Sequence, residues 1–373
     1  MKNPFSLKIV ADPGHFCNRT KEIEKLVSYA SSDANAVIYS PRRYGKTSLV
    51  YKVQQRLQDS GHMTIYIDLF GMSSAENIAK RIAGGIYAAI YKQKSLLQKV
   101  VSIIKTHRPV LRPDDTGISV SAECVSPNLS GTELLDKTMD ELGEFIAARN
   151  KQINIALDEF QEITEIRGND IEGIMRAHIQ KQRASYFFVG SRRRVLLEMF
   201  NQRRRPFFQS AINFELDKLP HDELTDFIMQ RFDAAGKHCS AKMAALIADT
   251  VDDHPYYCQK LGFFCFELSG KAVTQTDVQR GFVELVEGET PVFEAILQGL
   301  APRQIALLRA VAKEPSSSIM SMAYTKKHDL KSIGGIQSAV KKLEELDYIE
   351  REAVGKKGRW VVVDPLLAKW LAQ

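Results

Sequence analysis

The chain has 373 residues, of which 44% are apolar and 26% charged, and its formal net charge is +6. That length suggests about two or three domains with ample core, and the composition is that of an ordinary soluble globular protein. The mild positive charge permits an anionic partner without demanding one. Five scattered cysteines (Cys17, Cys124, Cys239, Cys258 and Cys265) contain no C-x-x-C pair, which argues against a disulfide frame or a zinc site and for reduced thiols. No basic head followed by an apolar run opens the chain, and no apolar run approaches the roughly 20 residues that span a bilayer. The expected location is the cytoplasm.

In chain order, AVIYS (36–40) is a short apolar strand and TSLVYKVQQRL after it has helical spacing, giving strand, loop, helix. MTIYIDLF (63–70) predicts a second buried strand, and a long helix is expected from about Ser74 to Thr106. RPVLRPDDTGISVSAE (108–123) predicts an inserted hairpin around Asp-Thr-Gly. A helix follows from about Thr132 to Arg149, capped by Ser130 or Thr132. INIALDEF (153–160), SYFFVGS (185–191) and AINFEL (211–216) supply three further strands. Strands alternating with helices predict a parallel sheet covered on both faces, so residues 1–218 are expected to form an α/β core. Residues 219–298 show only helical patterning and predict an all-α lid. From residue 299 the pattern changes to three helices and two strands around Gly-Lys-Lys-Gly, a winged helix-turn-helix.

The segment SPRRYGKTS (40–48) carries the first chemistry. A loop that holds a triphosphate presents backbone N–H groups inward and leads into a helix N-terminus. Gly45 allows close backbone approach, Lys46 would neutralise the β- and γ-phosphates, and the Thr47 hydroxyl would hold Mg²⁺. Ser40 stands where a glycine usually opens such a loop. Pro41, Arg42, Arg43, Tyr44 and Ser48 complete it. Alone, Gly-Lys-Thr is as well explained by a basic turn before a helix. The strand before it and the helix after it favour the phosphate loop.

Asp158 ends an apolar strand, where a carboxylate meets an ion in an open α/β sheet, here Mg²⁺ through water. Glu159 beside it would deprotonate the attacking water. Ser191 at the tip of the fourth strand is a candidate γ-phosphate sensor, or a helix N-cap, or both. Two arginine triplets, Arg192–Arg194 and Arg203–Arg205, either supply an arginine finger or form a solvated basic face.

Together, SPRRYGKTSL, LDEFQEI, FFVGS, HPYYCQKL and the closing DPLLAKWL resemble the archaeal-type ATPase family, within the AAA+/STAND group of P-loop NTPases. PGHFCNRTKEIEKL is similar to the family's leader, and the resemblance covers nearly the whole chain. It implies an ASCE-type core, a helical lid and a C-terminal winged helix, as in the related origin-recognition ATPases. It places Phe16 and Arg19 near the base or ribose and Pro255 near the nucleotide. There are two departures. Gln209 and Ser210 stand where members often carry an arginine, and HPYYCQKL has no arginine, Lys260 being its nearest cation. Both point to slow or partner-activated hydrolysis.

Three readings follow: an ATPase switch, a DNA-binding regulator holding ATP as a structural ligand, or a small-molecule kinase. In the winged helix, Ile336, Val340, Leu343 and Leu346 are expected to be buried. That would leave Gln337, Ser338, Lys341 and Lys342 outward, with Lys356, Lys357 and Arg359 on the wing, for duplex DNA. Glu344, Glu345, Glu350 and Glu352 flank that surface and favour the alternative, a protein-docking module.

Overall fold

The computed structural model describes residues 2–7, 16–91, 100–114, 117–126, 128–166, 170–330, 333–352 and 358–373. By its contacts the chain divides into two compact bodies: residues 19–40 with 46–216, and residues 1–18, 41–45 and 217–373.

The first body opens with helix α1 (Thr20–Ser31), strand β1 (Ala36–Tyr39), helix α2 (Lys46–Asp59), strand β2 (Met63–Asp68) and helix α3 (Ala75–Ile90). The helix expected to run to Thr106 ends instead at Ile90. Residues 100–103 are helical again, and 92–99 lie outside the described residues. Strands β3 (His107–Asp114) and β4 (Gly117–Cys124) pair antiparallel as the expected hairpin; residues 115–116, on which the expected Asp-Thr-Gly turn falls, are also outside the described residues. Helix α4 (Gly131–Ala147) is capped by Ser130, whose side chain and that of Glu133 form a reciprocal capping box. Strand β5 (Ile153–Asp158), helix α5 (Ile171–Ile179), strand β6 (Ser185–Gly190), helix α6 (Arg193–Asn201) and strand β7 (Ile212–Glu215) complete this body.

The sheet is parallel, in the order β2-β5-β6-β1-β7. Every residue of β1, β5 and β6 is buried, because helices cover both faces and leave no room for polar alternation. Buried polar groups fix the register. Gln54 donates to the Ile65 carbonyl and to Asn154 Oδ1, both at 3.1 Å, and Asn154 donates to Ser185 Oγ at 3.0 Å. Each would be costly if left unpaired, so a slipped strand is disfavoured. The pairing sets Tyr39 opposite Gly190 and Asp68 opposite Asp158, so the carboxyl ends of neighbouring strands come together.

The second body contains the helices α7 (His221–Ala234), α8 (Ala241–Thr250), α9 (Pro255–Leu268) and α10 (Gln275–Gln298). Phe5 packs among them, with its ring 5.1 Å from that of Phe232. Helices α11 (Pro302–Lys313), α12 (Met322–Lys327) and α13 (Ile333–Glu345) and the antiparallel strands β8 (Ile349–Glu352) and β9 (Arg359–Val362) form the winged helix, followed by α14 (Pro365–Ala372). Ile336, Val340 and Leu343 are buried as expected. Leu346 is not, being 39% exposed: α13 ends at Glu345, so the next residue leaves the helical path that would have carried it inward. The Tyr257 hydroxyl donates to Asp364 Oδ2 at 2.6 Å, while Asp364 Oδ1 caps α14 by accepting from the amides of Leu366 and Leu367. Among the described residues no helix is long and apolar enough to cross a membrane.

Candidate functional site

At the carboxyl end of the first body's sheet, the residues that follow β1, β5 and β6 converge. Thr47, in the first turn of α2, donates through Oγ1 to Asp158 Oδ2 at 2.8 Å. Lys46 is buried, and its Nζ donates to the Ser40 carbonyl at 2.9 Å and to Ser40 Oγ at 3.2 Å. Ser48 follows in the same helical turn and is half-buried. Gly45 has φ +89°, a conformation glycine adopts freely, with nothing within 4 Å of where a side chain would begin. Within the first body, a hydroxyl meeting a carboxylate beside a buried ammonium is a donor set that suits magnesium and a phosphate chain.

No motif or spacing in the sequence points to Tyr66. Its hydroxyl donates to the same Asp158 oxygen at 2.5 Å across 92 positions of chain, and its ring packs 4.6 Å from that of Tyr51. Burial, and then the adjacent Asp158 charge, push the phenol well above its ordinary pKa, so it stays a donor.

Glu159 lies between β5 and a 3₁₀ turn (Phe160–Glu165), with its backbone in the left-handed region at φ +50°. That conformation is uncommon for a residue with a side chain and needs support from its surroundings. Phe160 supplies it, buried against the rings of Phe188, Phe200 and Phe207 at 4.7, 6.1 and 5.3 Å. Ser191 Oγ donates to Glu159 Oε2 at 3.1 Å. The cap position of α6 is Arg192, so Ser191 serves the carboxylate and is not the N-cap of that helix.

Residues 41–45 pack in the second body. Pro41 is half-buried and Arg42 exposed. Arg43, at φ +66°, donates to Glu289 Oε2 at 3.1 Å and lies 4.4 Å from the centre of the Tyr256 ring. Lys260 donates to Glu289 Oε1 at 2.6 Å. Burial pushes the Glu289 carboxyl up, but Lys260 and Arg43 outweigh it and hold the group below the usual carboxylate range. Tyr44 is buried edge-on against His254, with ring centres 5.0 Å apart, and Pro255 opens α9 directly after that histidine. Sequence spacing could not reveal Glu289, which is 246 positions from Arg43.

Arg19 is buried and pairs with Glu22 at 2.8 Å, while Phe16 is half-buried. Several of the triplet arginines are engaged within the first body: Arg192 with Glu162 and Glu165, Arg193 with Glu215, Arg194 with Glu198 and Arg205 with Glu172. Arg203 and Arg204 are exposed. On the winged helix, Gln337, Ser338, Lys341 and Lys342 are exposed. Arg359 grips Glu352 through Nε at 2.9 Å and a terminal nitrogen at 2.8 Å; Lys356 and Lys357 lie outside the described residues.

A family model described as an ATPase domain predominantly from Archaea matches residues 16–257, and one described as a probable winged helix domain matches residues 291–373. No curated protein matches the chain. Among solved structures, the Walker-type ATPase PABY2304 of Pyrococcus abyssi is 16% identical with a TM-score of 0.72, over 99% of this chain and 100% of its own. The Aeropyrum pernix ORC2 protein, in ADPNP–ADP complexes, is 15% identical with a TM-score of 0.59, over 96% of this chain and 92% of its own. The ORC1 protein of the same organism, in complex with DNA, is 14% identical with a TM-score of 0.51, over 100% of this chain and 97% of its own. At such identities the structures share a fold. Taken with the family match over most of the α/β body, the conclusion is that this chain belongs to the family of P-loop ATPase domains found predominantly in Archaea, and that it carries a winged helix at its C-terminal end.

Proposed function

We propose that the chain binds ATP with magnesium and hydrolyses it slowly, as a nucleotide-dependent switch whose winged helix docks DNA or a protein partner. One observation carries this reading: Thr47 meets Asp158 at 2.8 Å, and the next residue, Glu159, is a second carboxylate held by Ser191. A nucleotide kept only for structure would not need that second carboxylate.

In this reading residues 40–48 wrap the phosphates, and Lys46 exchanges its bonds to Ser40 for β- and γ-phosphate oxygens. Thr47 and Asp158 would hold magnesium. Magnesium, when bound, neutralises charge between the β- and γ-phosphates. Glu159 takes the proton of the water that attacks the γ-phosphorus, the bond to the β–γ bridging oxygen breaks, and ADP leaves. Ser191 faces the γ-phosphate. Phe16, Arg19 and Pro255 are assigned to the base and ribose by resemblance alone. Slow or partner-activated turnover is supported by the carboxylate partners of Arg192, Arg193, Arg194 and Arg205, which already engage four of the six triplet arginines.

The test is ATP turnover without any added acceptor. Wild type should release ADP and phosphate, and Glu159→Gln should bind ATP but turn it over about 10²- to 10⁴-fold more slowly. ADP formed only when an acceptor is supplied would favour a kinase. ATP bound without turnover would favour the structural-ligand regulator.

A further inference from the structure

We propose that Gln161 is a positioning residue for Glu159, fixing which carboxylate oxygen is free to take the proton of the attacking water; this rests on the reading of Glu159 as the general base. Gln161 lies two residues beyond Glu159 and is 1% exposed. Its Nε2 donates to Glu159 Oε2, the oxygen that also accepts from Ser191. With two donors on Oε2, Oε1 is left as the proton acceptor.

An ionised carboxylate only accepts hydrogen bonds, so the Gln161 amide must turn its nitrogen toward Glu159. Its own oxygen then points the other way, where it is buried without a partner. An orphaned buried acceptor is unfavourable, and a leucine would fill similar space without one. The glutamine is therefore not explained by packing. Its neighbour adds a second, independent observation. A Cβ on Gly190, the last residue of β6, would lie 1.9 Å from Gln161 Oε1 and 2.7 Å from the Leu196 side chain. Gly190 is not among the glycines with positive φ, so backbone conformation does not require it. What it provides is room for the amide. Gly190 and Ser191, consecutive at the end of β6, thus act on the same carboxylate, one by making space and one by donating a bond.

The experiment is a double-mutant cycle read by single-turnover hydrolysis with enzyme in excess, with ATP affinity measured by calorimetry. Gln161→Leu should keep ATP affinity within about twofold while slowing the chemical step about 10- to 100-fold, as loss of an orienting partner does. Combined with Glu159→Gln, it should slow the reaction no further, because its effect passes through Glu159. Gln161→Met keeps the length, removes the donor and should behave like Gln161→Leu, which provides a second variant should the leucine protein misfold. Gly190→Ala should slow the chemical step in wild type. Wild-type hydrolysis by both Gln161 variants would overturn the proposal, as would a further loss when Gln161→Leu is added to Glu159→Gln. If Glu159→Gln alone hydrolyses at the wild-type rate, the base assignment falls and the proposal with it. If Glu159→Gln is slow and the Gln161 variants are fast, the proposal falls alone.

Discussion

Thr47 and Asp158, 111 positions apart, are joined by a 2.8 Å hydrogen bond on one carboxylate oxygen, the same oxygen that accepts from Tyr66. Two hydroxyls therefore converge where magnesium chemistry is expected. Asp158→Asn should weaken ATP binding about 10- to 100-fold in magnesium and much less in excess chelator, the range expected for a lost interaction with a charged group. Tyr66→Phe should lower affinity in the same magnesium-dependent way, but by less, since Thr47 remains. Calorimetry with and without magnesium checks both. Equal losses in the two conditions would remove Asp158 from the metal's side of the site.

Lys46 is buried, and its ammonium is bonded to Ser40 in the same body. Lys46→Ala should lower ATP affinity by about two orders of magnitude, the upper part of what a charge-assisted bond contributes. Calorimetry with ATP and magnesium measures this. Unchanged affinity would sink the assignment of the loop.

The exposed face of α13 presents Gln337, Ser338 and Lys341, while Arg359 is held by Glu352. If that face meets duplex DNA, affinity should fall with salt at a log–log slope near −0.9 for each phosphate neutralised. A triple variant, Lys341→Ala with Lys356→Ala and Lys357→Ala, should flatten that slope. Fluorescence anisotropy over a salt series, with and without ATP, reads it. Absence of binding even at low salt, or an unchanged slope in the variant, favours protein docking.

His254 is held down to about 3 by burial, then by Arg43 and Lys218. His107 is held down to about 4 by burial, then by Lys80. The sign follows from the depressed values. Both rings stay neutral when folded but take a proton in the unfolded chain below about pH 6.5. The stability they contribute is whole above that pH and is lost as pH falls toward the folded values. His254 alone should remove about 1.4 kcal/mol per pH unit in this window. Thermal midpoints between pH 7 and pH 5 should therefore fall less steeply for His254→Phe than for wild type. Parallel curves would show that the ring is protonated in the fold.

Much of this architecture is legible in the sequence. The apolar runs at 36–40, 153–158 and 185–190 are too continuous for a one-sided sheet, so parallel strands between helices followed. The spacing of Ile336, Val340 and Leu343 marked a buried helix face, and the strand–loop–helix setting made Gly-Lys-Thr a candidate phosphate loop. These are local signals, carried by periodicity over a turn or two of chain. What the tertiary structure alone decided are contacts between distant or differently facing groups. Tyr66 reaches Asp158 because β2 and β5 pair with Asp68 opposite Asp158, and no periodicity encodes that register. Ser191 could have capped a helix; the turn after β6 gave that position to Arg192 and the hydroxyl to Glu159. Leu346 fits the apolar pattern yet is exposed, because a pattern does not say where the helix stops. The Gln161 amide beside Gly190, and Glu289 between Arg43 and Lys260, were hidden for the same reason. Periodicity tells which face of an element is buried, and only packing and strand register decide which side chain meets it there.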